Sequence, residues 1–587
     1  MSQAAPAASG YPAMTVAQAN ALLTQPGSML EIEEIEIGGR PTRVWKHAPP
    51  TLRDLFLTAR GFGRRTFLVY EDERTSYEGF ARASLAVAHE LTARGVRKGD
   101  RVAIAMRNLP EWAAAFFGAA LVGAVVTPLN AWWTGAELQY GLQDSGARAV
   151  FVDGERLGRL AEHFSSCSEL ERVYVSRFDE EIGHPWVTRL EDVIGPVLKW
   201  ADLPDAPIPD VPLGPEDDAT LFYTSGTTGR PKGALGTHRN FNTNLLMLAF
   251  SFARSFLRRG EAPPAPDPNA PQKSLLQVVP LFHATGCHSI LASAMVQGAK
   301  LVLIRKWDAE KAFQLIEREK VTHTGGVPTV AWQLLEHPAR ERYDLSSLES
   351  VAYGGAPSAS ELVRRLKETF PKSAPGNGWG MTELSSTHTH HAGEDYENRP
   401  DSCGLTAPVA EIRVTGPDGE VLPPNEVGEV WAKGPNVVKG YWNKPEATAE
   451  TFIDGWVRTG DLGRIDEEGF LFIVDRAKDM LIRGGENIYC VEVENTLYEH
   501  PAVMDAAVVG VAHHSLGEEP AAVVTLKPGA EAAEEELRGF VADRLAAFKV
   551  PIRVVFWPEI LPRNPNGKIL KSELKKLFEP AAGAPAA

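Results

Sequence analysis

The chain has 587 residues, of which 44% are hydrophobic and 23% charged, and its formal net charge at pH 7 is −16. A chain of this length exceeds one hydrophobic core, so we expect two or more domains. The acidic balance argues against nucleic acid or an anionic membrane as the main partner. The four cysteines lie far apart and form no Cys-x-x-Cys pair, which argues against a zinc site or a disulfide framework and favours a reducing cytoplasm.

The N-terminal part of the chain is weakly patterned, and we predict an N-terminal extension over residues 1–50 without a signal peptide. From Arg101 onward, short apolar runs alternate with helical patterns, which predicts an α/β body with largely parallel sheets over residues 51–477. The most apolar stretch, Trp112 to Val126, is too short to span a membrane. We interpret it as a buried helix that turns into a strand.

One loop combines glycines, hydroxyl side chains and cations directly after a predicted strand: Tyr223-Thr-Ser-Gly-Thr-Thr-Gly-Arg-Pro-Lys-Gly233. Its amides and hydroxyl groups can surround phosphate oxygens, with Arg230 and Lys232 as countercharge. The alternative is a glycine-rich surface turn, which seldom needs so many donors. Because Lys232 follows a proline, the loop does not match a Walker loop. The sequence therefore predicts a phosphate site in another fold.

Three further polar segments follow predicted strands. The segment Asn377-Gly-Trp-Gly-Met-Thr-Glu383 offers a ring that could stack on a base, then a hydroxyl and a carboxylate that could hold a hard cation against phosphate. Asp461 follows a glycine and could share a ribose diol with Arg476, or belong to an ordinary turn. His283 stands where an apolar strand gives way to small residues, and the alternative there is a packed, hydrogen-bonded histidine.

The pattern changes after about residue 400. Short strands and turns predict a small β-barrel or sheet attached to the body. A helical pattern from Glu534 to Phe548, preceded by two predicted strands, indicates a further small core. We therefore place a domain boundary near Lys478 and a C-terminal domain over residues 478–587. Lys568 follows a proline-rich turn and by itself indicates little.

In this order, these segments resemble the motifs of the adenylate-forming superfamily, which includes acyl-CoA synthetases, nonribosomal peptide adenylation domains and firefly luciferase. The resemblance covers about residues 50–578. It implies an α/β fold with a large N-terminal domain of two α/β subdomains plus a small β-barrel, followed by a mobile α+β C-terminal domain. It also implies a reaction in two steps. A carboxylate attacks the α-phosphorus of ATP, and a thiol then displaces AMP from the acyl-adenylate.

The resemblance implies a role for each residue that matches a motif. Lys568, His283, Thr382 and Glu383 would be catalytic, with Glu383 on Mg²⁺ and Lys568 stabilising the charge of the adenylation transition state. Lys478 would be the hinge. Gly484 and Gly485, two adjacent glycines, would lie along the tunnel for the thiol.

Two larger sets follow from the same resemblance. The ATP- and AMP-binding residues would be Thr224, Ser225, Gly226, Thr227, Thr228, Gly229, Lys232, Gly355, Ala356, Pro357, Gly378, Trp379, Gly380, Met381, Asp461 and Arg476. Trp379 stands where the family more often has tyrosine. The predicted acyl pocket contains Val327, Ala331, Trp332 and Gly354.

The residues after His283 help to choose among members of the family. The segment Ala284-Thr-Gly-Cys-His-Ser-Ile290 contains no carboxylate, whereas amino-acid adenylation domains place an aspartate there, so amino-acid activation is disfavoured. The chain ends soon after Lys568 without a carrier domain, which favours a free-standing enzyme that uses CoA. We expect an acyl-CoA synthetase for medium- to long-chain fatty acids. An aryl or other hydrophobic acid-CoA ligase, an acyl-AMP ligase that loads a carrier protein, and an inactive ATP-binding module are the alternatives.

The expected small molecules are ATP, Mg²⁺, coenzyme A and a carboxylic acid. We expect no nucleic-acid partner, no membrane span and a cytoplasmic location. A homodimer stays open, because nothing in the sequence determines the oligomeric state.

Overall fold

The computed structural model describes residues 10–224, 230–265, 267, 269–355, 360–484, 486–513, 515–563 and 568–578. Within these ranges the strands form five sheets. Two of the sheets are large and mostly parallel, and they carry helices between and around them. The remaining three are a hairpin near the N-terminus and two smaller sheets after residue 410.

The described part of the N-terminal extension, from residue 10 onward, lies against the body. Its elements are α1 (Val16–Leu23), β1 (Ile32–Ile37) and β2 (Arg40–Trp45). Trp45 is buried, with its ring centroid 5.5 Å from that of Phe250. The Tyr11 hydroxyl donates a hydrogen bond of 2.6 Å to Asp395. The extension is therefore folded onto the domain that follows it.

The first part of the body alternates strands and helices. In chain order its elements are α2 (Leu52–Arg60), β3 (Thr66–Tyr70), β4 (Glu73–Ser76), α3 (Tyr77–Ala93), β5 (Arg101–Ala105), α4 (Pro110–Leu121), β6 (Val125–Pro128), α5 (Gly135–Ser145), β7 (Ala147–Asp153), α6 (Gly154–Leu160), β8 (Arg172–Ser176), β9 (Val187–Arg189), α7 (Glu191–Ile194), β10 (Asp218–Tyr223), β11 (Gly233–Thr237) and α8 (His238–Arg258). The alternation predicted from the sequence is confirmed here.

The second part of the body continues the alternation. Its elements are β12 (Ser274–Gln277), a π-helix (Thr285–Leu291), α9 (Ala292–Gln297), β13 (Lys300–Leu303), α10 (Ala309–Glu319), β14 (His323–Gly326), α11 (Pro328–Glu336), β15 (Ser350–Gly354), α12 (Ser360–Thr369), β16 (Ala374–Met381), β17 (Ser386–Ala392), α13 (Glu394–Asn398) and β18 (Leu405–Thr406).

The smaller sheets follow. The first contains β19 (Glu411–Thr415), β20 (Gly428–Lys433), β21 (Phe452–Ile453), β22 (Trp456–Ile465) and β23 (Leu471–Arg476), with α14 (Pro445–Thr451) before β21. The C-terminal part contains β24 (Leu481–Arg483), β25 (Glu486–Ile488), α15 (Cys490–Tyr498), β26 (Val503–His513), β27 (Gly517–Leu526), α16 (Glu534–Ala542), β28 (Val554–Phe556) and α17 (Lys571–Lys575). Short 3₁₀ segments are Phe164–Ser166, Val197–Asp202, Pro338–Arg342, Thr382–Leu384, Ala547–Lys549 and Lys576–Phe578.

The order of strands explains where a site can form. The seven-stranded sheet runs β11-β10-β6-β5-β7-β8-β9, and the nine-stranded sheet runs β18-β17-β16-β15-β14-β12-β13-β3-β4. Their central strands are parallel, and antiparallel pairs stand at the edges. The carboxyl ends of parallel strands meet at one edge of a sheet, where ligands of open α/β sheets bind.

The apolar stretch predicted as a buried helix is α4, and every residue of it is buried. It begins at Pro110, whose fixed φ suits the first turn of a helix. The largest buried cluster joins it to residues of both large sheets, such as Val102 and Leu301. Over the described ranges, no helix combines the length and the apolar character needed to cross a membrane.

The C-terminal sheet has a core of its own, in which Leu497, Val508, Leu537 and Val541 are buried. The predicted helix from Glu534 ends as an α-helix at Ala542, earlier than its hydrophobic pattern suggests. The connection between the two smaller sheets runs from the end of β23 to the start of β24, and the predicted hinge falls in it. The position of the domain boundary stays a prediction.

Candidate active site

The predicted adenine and ribose residues lie in direct contact. Trp379 Nε1 donates to Asp461 Oδ2 at 2.7 Å, and Arg476 Nε lies 3.2 Å from Asp461 Oδ1. Asp461 and Arg476 are register partners on β22 and β23, so the small sheet itself pairs them. A shift in the β16–β17 register falls between Trp379 and Gly380, and such irregularities redirect side chains. The group can therefore offer a ring face and two polar side chains to one nucleoside.

Glu383 is a buried carboxylate at the end of the same strand, in the 3₁₀ turn that begins at Thr382. Its Oε1 accepts a hydrogen bond of 2.6 Å from the hydroxyl of Tyr441. No group of three or more acidic, histidine or cysteine residues among the described positions could hold a metal alone. Mg²⁺ typically takes one or two carboxylates and completes its shell with phosphate oxygens and water. Glu383 with Thr382 fits that pattern.

Part of the phosphate loop lies outside the described residues: Ser225, Gly226, Thr227, Thr228 and Gly229. Its two ends are described. Thr224 N donates to Lys232 O at 2.9 Å, closing the β10–β11 hairpin. The Tyr223 hydroxyl donates to Asp144 at 2.8 Å. The loop is thus held at its base by backbone pairing and a buried carboxylate.

The two cations of this loop rest on aromatic rings. The Arg230 guanidinium lies 5.2 Å from the ring centroid of Tyr140, and Lys232 Nζ lies 4.7 Å from that of Tyr441. An ammonium group at this distance from a ring face is attracted by its quadrupole. The two rings therefore hold both cations beside the described ends of the loop.

Lys568 reaches the same place from the C-terminal part of the chain. It lines the cavity that also contains His283 and Glu383. Burial lowers its pKa to about 8, and the positive charge of Arg476 acts in the same direction, while Asp461 and Glu383 oppose it. The structure therefore brings together a cation, a buried carboxylate and the nucleoside residues.

His283 stands just before the π-helix, on the wall of this cavity. Its Nε2 is shielded from solvent and has no hydrogen-bond partner among the described residues. Burial lowers its pKa to about 3, and the charge of Lys568 contributes, so the ring is neutral at ordinary pH. Buried polar atoms are nearly always paired in folded proteins. An unpaired nitrogen facing a cavity favours a ligand contact over the alternative of a packed, hydrogen-bonded histidine.

Two large cavities meet at these residues. The first, named here the acid cavity, has a volume of about 1210 Å³ and extends from Thr224, His283 and Glu383 along β14 to His323. The second, named the interdomain cavity, has a volume of about 1260 Å³ and lies between the body and the C-terminal part, with Lys478 in its wall. Predicted nucleotide residues in these walls are Thr224, Lys232, Gly355, Gly378, Trp379, Gly380, Met381, Asp461 and Arg476.

The predicted acyl pocket is only partly found in the acid cavity. Val327 and Gly354 line it. Ala331 is 1% exposed and packs in the core around α11, and Trp332 lines the interdomain cavity. Both belong to α11, whose inward face the sequence pattern did not identify.

Gly325 lies on β14, in the wall of the acid cavity. A Cβ atom at this position would lie 1.7 Å from Ala352 O. No side chain fits there, so the backbone itself forms this part of the cavity wall.

One wall of the acid cavity carries polar residues that the sequence analysis missed: Ser289, Ser386, Thr387 and His390, named here the polar wall. Ser289 Oγ lies 2.9 Å from Ser386 Oγ, and His390 Nδ1 lies 3.1 Å from Ser251 Oγ. The segment Ser386-Thr-His-Thr-His-His391 was a possible signal, because a polar strand beside the Glu383 motif is unusual for a buried position.

Gly484 does not reach the site in this arrangement. Its amide donates to Leu516 O at 2.7 Å within the C-terminal sheet, and it lines neither cavity. Three further predicted site residues lie outside the described residues: Gly485, Ala356 and Pro357. Lys568 and Gly484 therefore occupy different places relative to the body, one in the site and one away from it.

Comparison with known proteins agrees with this geometry. Residues 55–442 match the family model of the AMP-binding enzyme, and residues 492–568 match that of the AMP-binding enzyme C-terminal domain. The chain therefore belongs to the AMP-binding enzyme family, and the predicted membership of the adenylate-forming superfamily is confirmed.

Individual relatives indicate which reaction the members of the family most similar to this chain catalyse. The chain is 36% identical to a feruloyl-CoA synthase from Amycolatopsis sp, over 86% of this chain and 94% of the relative. It is 34% identical to a long-chain-fatty-acid–CoA ligase from Bacillus subtilis, over 88% of this chain and 92% of the relative. Its fold is similar to that of the anthranilate CoA ligase AuaEII in complex with anthranoyl-AMP, with a TM-score of 0.79, 25% identity and coverage of 89% and 97%. The protein is an AMP-forming acid–CoA ligase, with a carboxylic acid, ATP and CoA as substrates.

Proposed function

We propose that the acid is an aromatic one whose ring carries a polar substituent. The observation that supports this is the polar wall, which faces the acid cavity with hydroxyl groups and an imidazole. Ligand pockets use a few polar groups among apolar ones to fix orientation. Gly326, Ala352 and Gly354 also line the acid cavity, and because none of them carries more than a methyl group they leave a narrow slot. A planar ring fits such a slot and can pair its substituent with the hydroxyls.

In the first step, the carboxylate of the acid lies between His283 and Lys568. A carboxylate oxygen attacks the α-phosphorus of ATP, the bond to the bridging oxygen breaks, and pyrophosphate leaves. His283 is neutral and acts as a hydrogen-bond donor, while the charge of Lys568 stabilises the oxygens that become more negative. Glu383 and Thr382 would hold Mg²⁺, which neutralises phosphate charge when bound.

In the second step, the thiol of CoA gives up its proton to solvent and its sulfur attacks the acyl carbonyl. The bond between the carbonyl carbon and the phosphate oxygen breaks, and AMP leaves with the bonding electrons. Gly484 would have to approach the carbonyl, which requires the C-terminal part to rotate about Lys478. Support for this proposal comes from the two positions described above, since Lys568 lies in the site while Gly484 does not. A cytoplasmic location belongs to the same proposal, and the four free cysteines are compatible with it.

Fatty acids are the second candidate, because one observation favours them. The acid cavity follows β14 from Gly326 to His323, a strand of four residues. At about 3.3 Å per residue it offers ~13 Å of length, and Leu248, Leu275 and Val330 line it. An alkyl tail could occupy this part without using the polar wall.

The test is pyrophosphate release with CoA over a matched panel: aryl acids with and without a hydroxyl, methoxy or amino group, and saturated fatty acids of increasing length. We expect kcat/KM for the best substituted aryl acid to exceed that of its unsubstituted parent about tenfold, the effect of one well-made hydrogen bond. Ser289→Ala should reduce that ratio, whereas the exposed Ser346→Ala should not.

Higher kcat/KM for fatty acids than for every aryl acid would support the second candidate instead. Pyrophosphate release without an acyl-CoA product would indicate a carrier-protein acceptor. Product identification by mass spectrometry distinguishes these outcomes.

A further inference from the structure

Tyr441 contacts both charged groups that are predicted to meet the phosphates, although no motif in the sequence points to it. Its hydroxyl donates to Glu383 Oε1 at 2.6 Å, and its ring face lies 4.7 Å from Lys232 Nζ. One side chain thus joins the phosphate-loop cation to the carboxylate that would bind the metal. We propose that Tyr441 is a positioning residue that keeps Lys232 and Glu383 oriented for the metal–triphosphate complex.

The backbone around Tyr441 is tied to the strand that leaves the phosphate loop. Leu235 N donates to Gly440 O at 2.9 Å, and Trp442 N donates to Gly233 O at 2.8 Å. These bonds flank Tyr441 on both sides, so the tyrosine follows β11 closely. Any shift of the loop base is therefore transmitted to the tyrosine ring.

The side chain is fixed as firmly as its backbone. The Tyr441 amide donates to Thr448 Oγ1 at 2.9 Å, and its ring packs edge-on against Phe452 at 5.4 Å. Its hydroxyl is the donor in the hydrogen bond to Glu383. It therefore acts only as a hydrogen-bond donor toward the carboxylate.

This geometry has a chemical consequence. When one oxygen of Glu383 is held by the tyrosine, the other is directed toward the cavity with a defined orientation. Partners of this kind orient metal ligands, and their removal typically lowers metal affinity 10- to 100-fold. The ring meanwhile keeps the Lys232 ammonium beside the loop without neutralising it, because the attraction is weaker than that of an ion pair. Positioned charges of this kind lower the reorganisation needed when the substrate arrives.

The assignment rests on the proposed role of Glu383 at Mg²⁺. Two substitutions distinguish the contribution of the Tyr441 hydroxyl from that of its ring. Tyr441→Phe deletes the hydroxyl and keeps the ring, whereas Tyr441→Leu deletes both. The matched control is Tyr343→Phe, because the Tyr343 hydroxyl donates to Glu310 at 3.0 Å and neither residue lines the two cavities. Thermal unfolding checks that each variant is folded.

The first readout is equilibrium binding of ATP by calorimetry, with Mg²⁺ and with a chelator. Tyr441→Phe should weaken ATP binding about tenfold in Mg²⁺ and leave it unchanged in the chelator. Tyr441→Leu should in addition weaken binding about threefold in the chelator, since Lys232 is no longer held. Tyr343→Phe should match the unmodified protein in both conditions. Equal effects of Tyr441→Phe with and without Mg²⁺, or none, would overturn the proposal.

The second readout is the Mg²⁺ dependence of acid-dependent pyrophosphate exchange, measured in a double-mutant cycle with Glu383→Gln. If Tyr441 acts through Glu383, Tyr441→Phe should have no further effect on the Mg²⁺ dependence once Glu383 is replaced. Additive effects would contradict the coupling. If Glu383→Gln alone leaves the Mg²⁺ dependence unchanged, the metal role of Glu383 fails and the assignment of Tyr441 fails with it. If only Tyr441→Phe is without effect, the metal role stands and the tyrosine assignment fails.

Discussion

The part of the site built by the body and the part supplied by the C-terminal domain are held in different ways. In the body, strand register pairs Asp461 with Arg476, and Trp379 is bonded to the same carboxylate. Lys568, in contrast, is brought to the site from a domain with its own core. The comparison indicates that the predicted nucleotide residues are fixed by contacts within the body, whereas the place of Lys568 depends on the position of the C-terminal domain.

A contact across the predicted hinge also depends on the position of the C-terminal domain. Asp475, on the last strand of the body, accepts a hydrogen bond of 2.5 Å from the amide of Cys490, at the first residue of α15 in the C-terminal domain. Burial raises the pKa of this carboxyl to about 6. The contact belongs to the arrangement in which Lys568 occupies the site, and a rotation about Lys478 would have to break it.

The strongest test of this comparison is Lys568→Ala. It should slow acyl-adenylate formation about 1000-fold, since a charge aimed at the reacting oxygens is lost. Thioester formation from supplied acyl-adenylate should be retained, because the body is unchanged. Rapid-quench measurement of each half-reaction checks this, with the exposed Lys576→Ala as the control. Equal losses in both half-reactions would contradict a role confined to the first step.

Lys478→Pro is expected to have a smaller effect, and on the second half-reaction instead of the first. Proline restricts the hinge backbone, so the C-terminal domain should rotate less readily. Thioester formation should fall about 100-fold, the cost of a misplaced reacting group, while adenylation is retained. Single-turnover assays of the two steps provide the measurement. If adenylation falls as much as thioester formation, the substitution has perturbed the fold rather than the movement.

The smallest expected effect is the pH dependence of the adenylation rate. Adenylation requires protonated Lys568, whose pKa is lowered to about 8, so its rate should fall as the pH rises through that value, about tenfold per unit beyond it. Lys568→Arg stays charged and should lose this alkaline limb even if its rate is lower.

The same pKa shift of Lys568 predicts a change in stability with pH. Between about pH 8 and 10.5 the unfolded chain keeps a proton that the folded state has released, so the free energy of unfolding should increase as the pH rises. Rate profiles of both proteins and denaturant midpoints across that window check the two statements.

Much of the fold could be predicted because its signals are local. The apolar run of α4, the strand at Arg101 and the change of pattern after residue 400 all depend on neighbouring residues. The motifs around Trp379, Asp461 and Lys568 were likewise visible, since each follows a strand or a rigid turn. Ala331 and Trp332 do not line the acid cavity, and their place in the acyl pocket stays a prediction, because the sequence does not show which face of α11 is turned toward the cavity.

The sequence by itself determined the class of protein, because the glycine loop, the Trp379 segment and Lys568, in that order, resemble the motifs of the adenylate-forming superfamily. The tertiary structure alone decided that Tyr441 contacts both Lys232 and Glu383, that the polar wall lines the acid cavity, and that Lys568 lies beside His283. These contacts join residues far apart in the chain. Their distances depend on sheet register and domain position, which no local pattern of residues specifies.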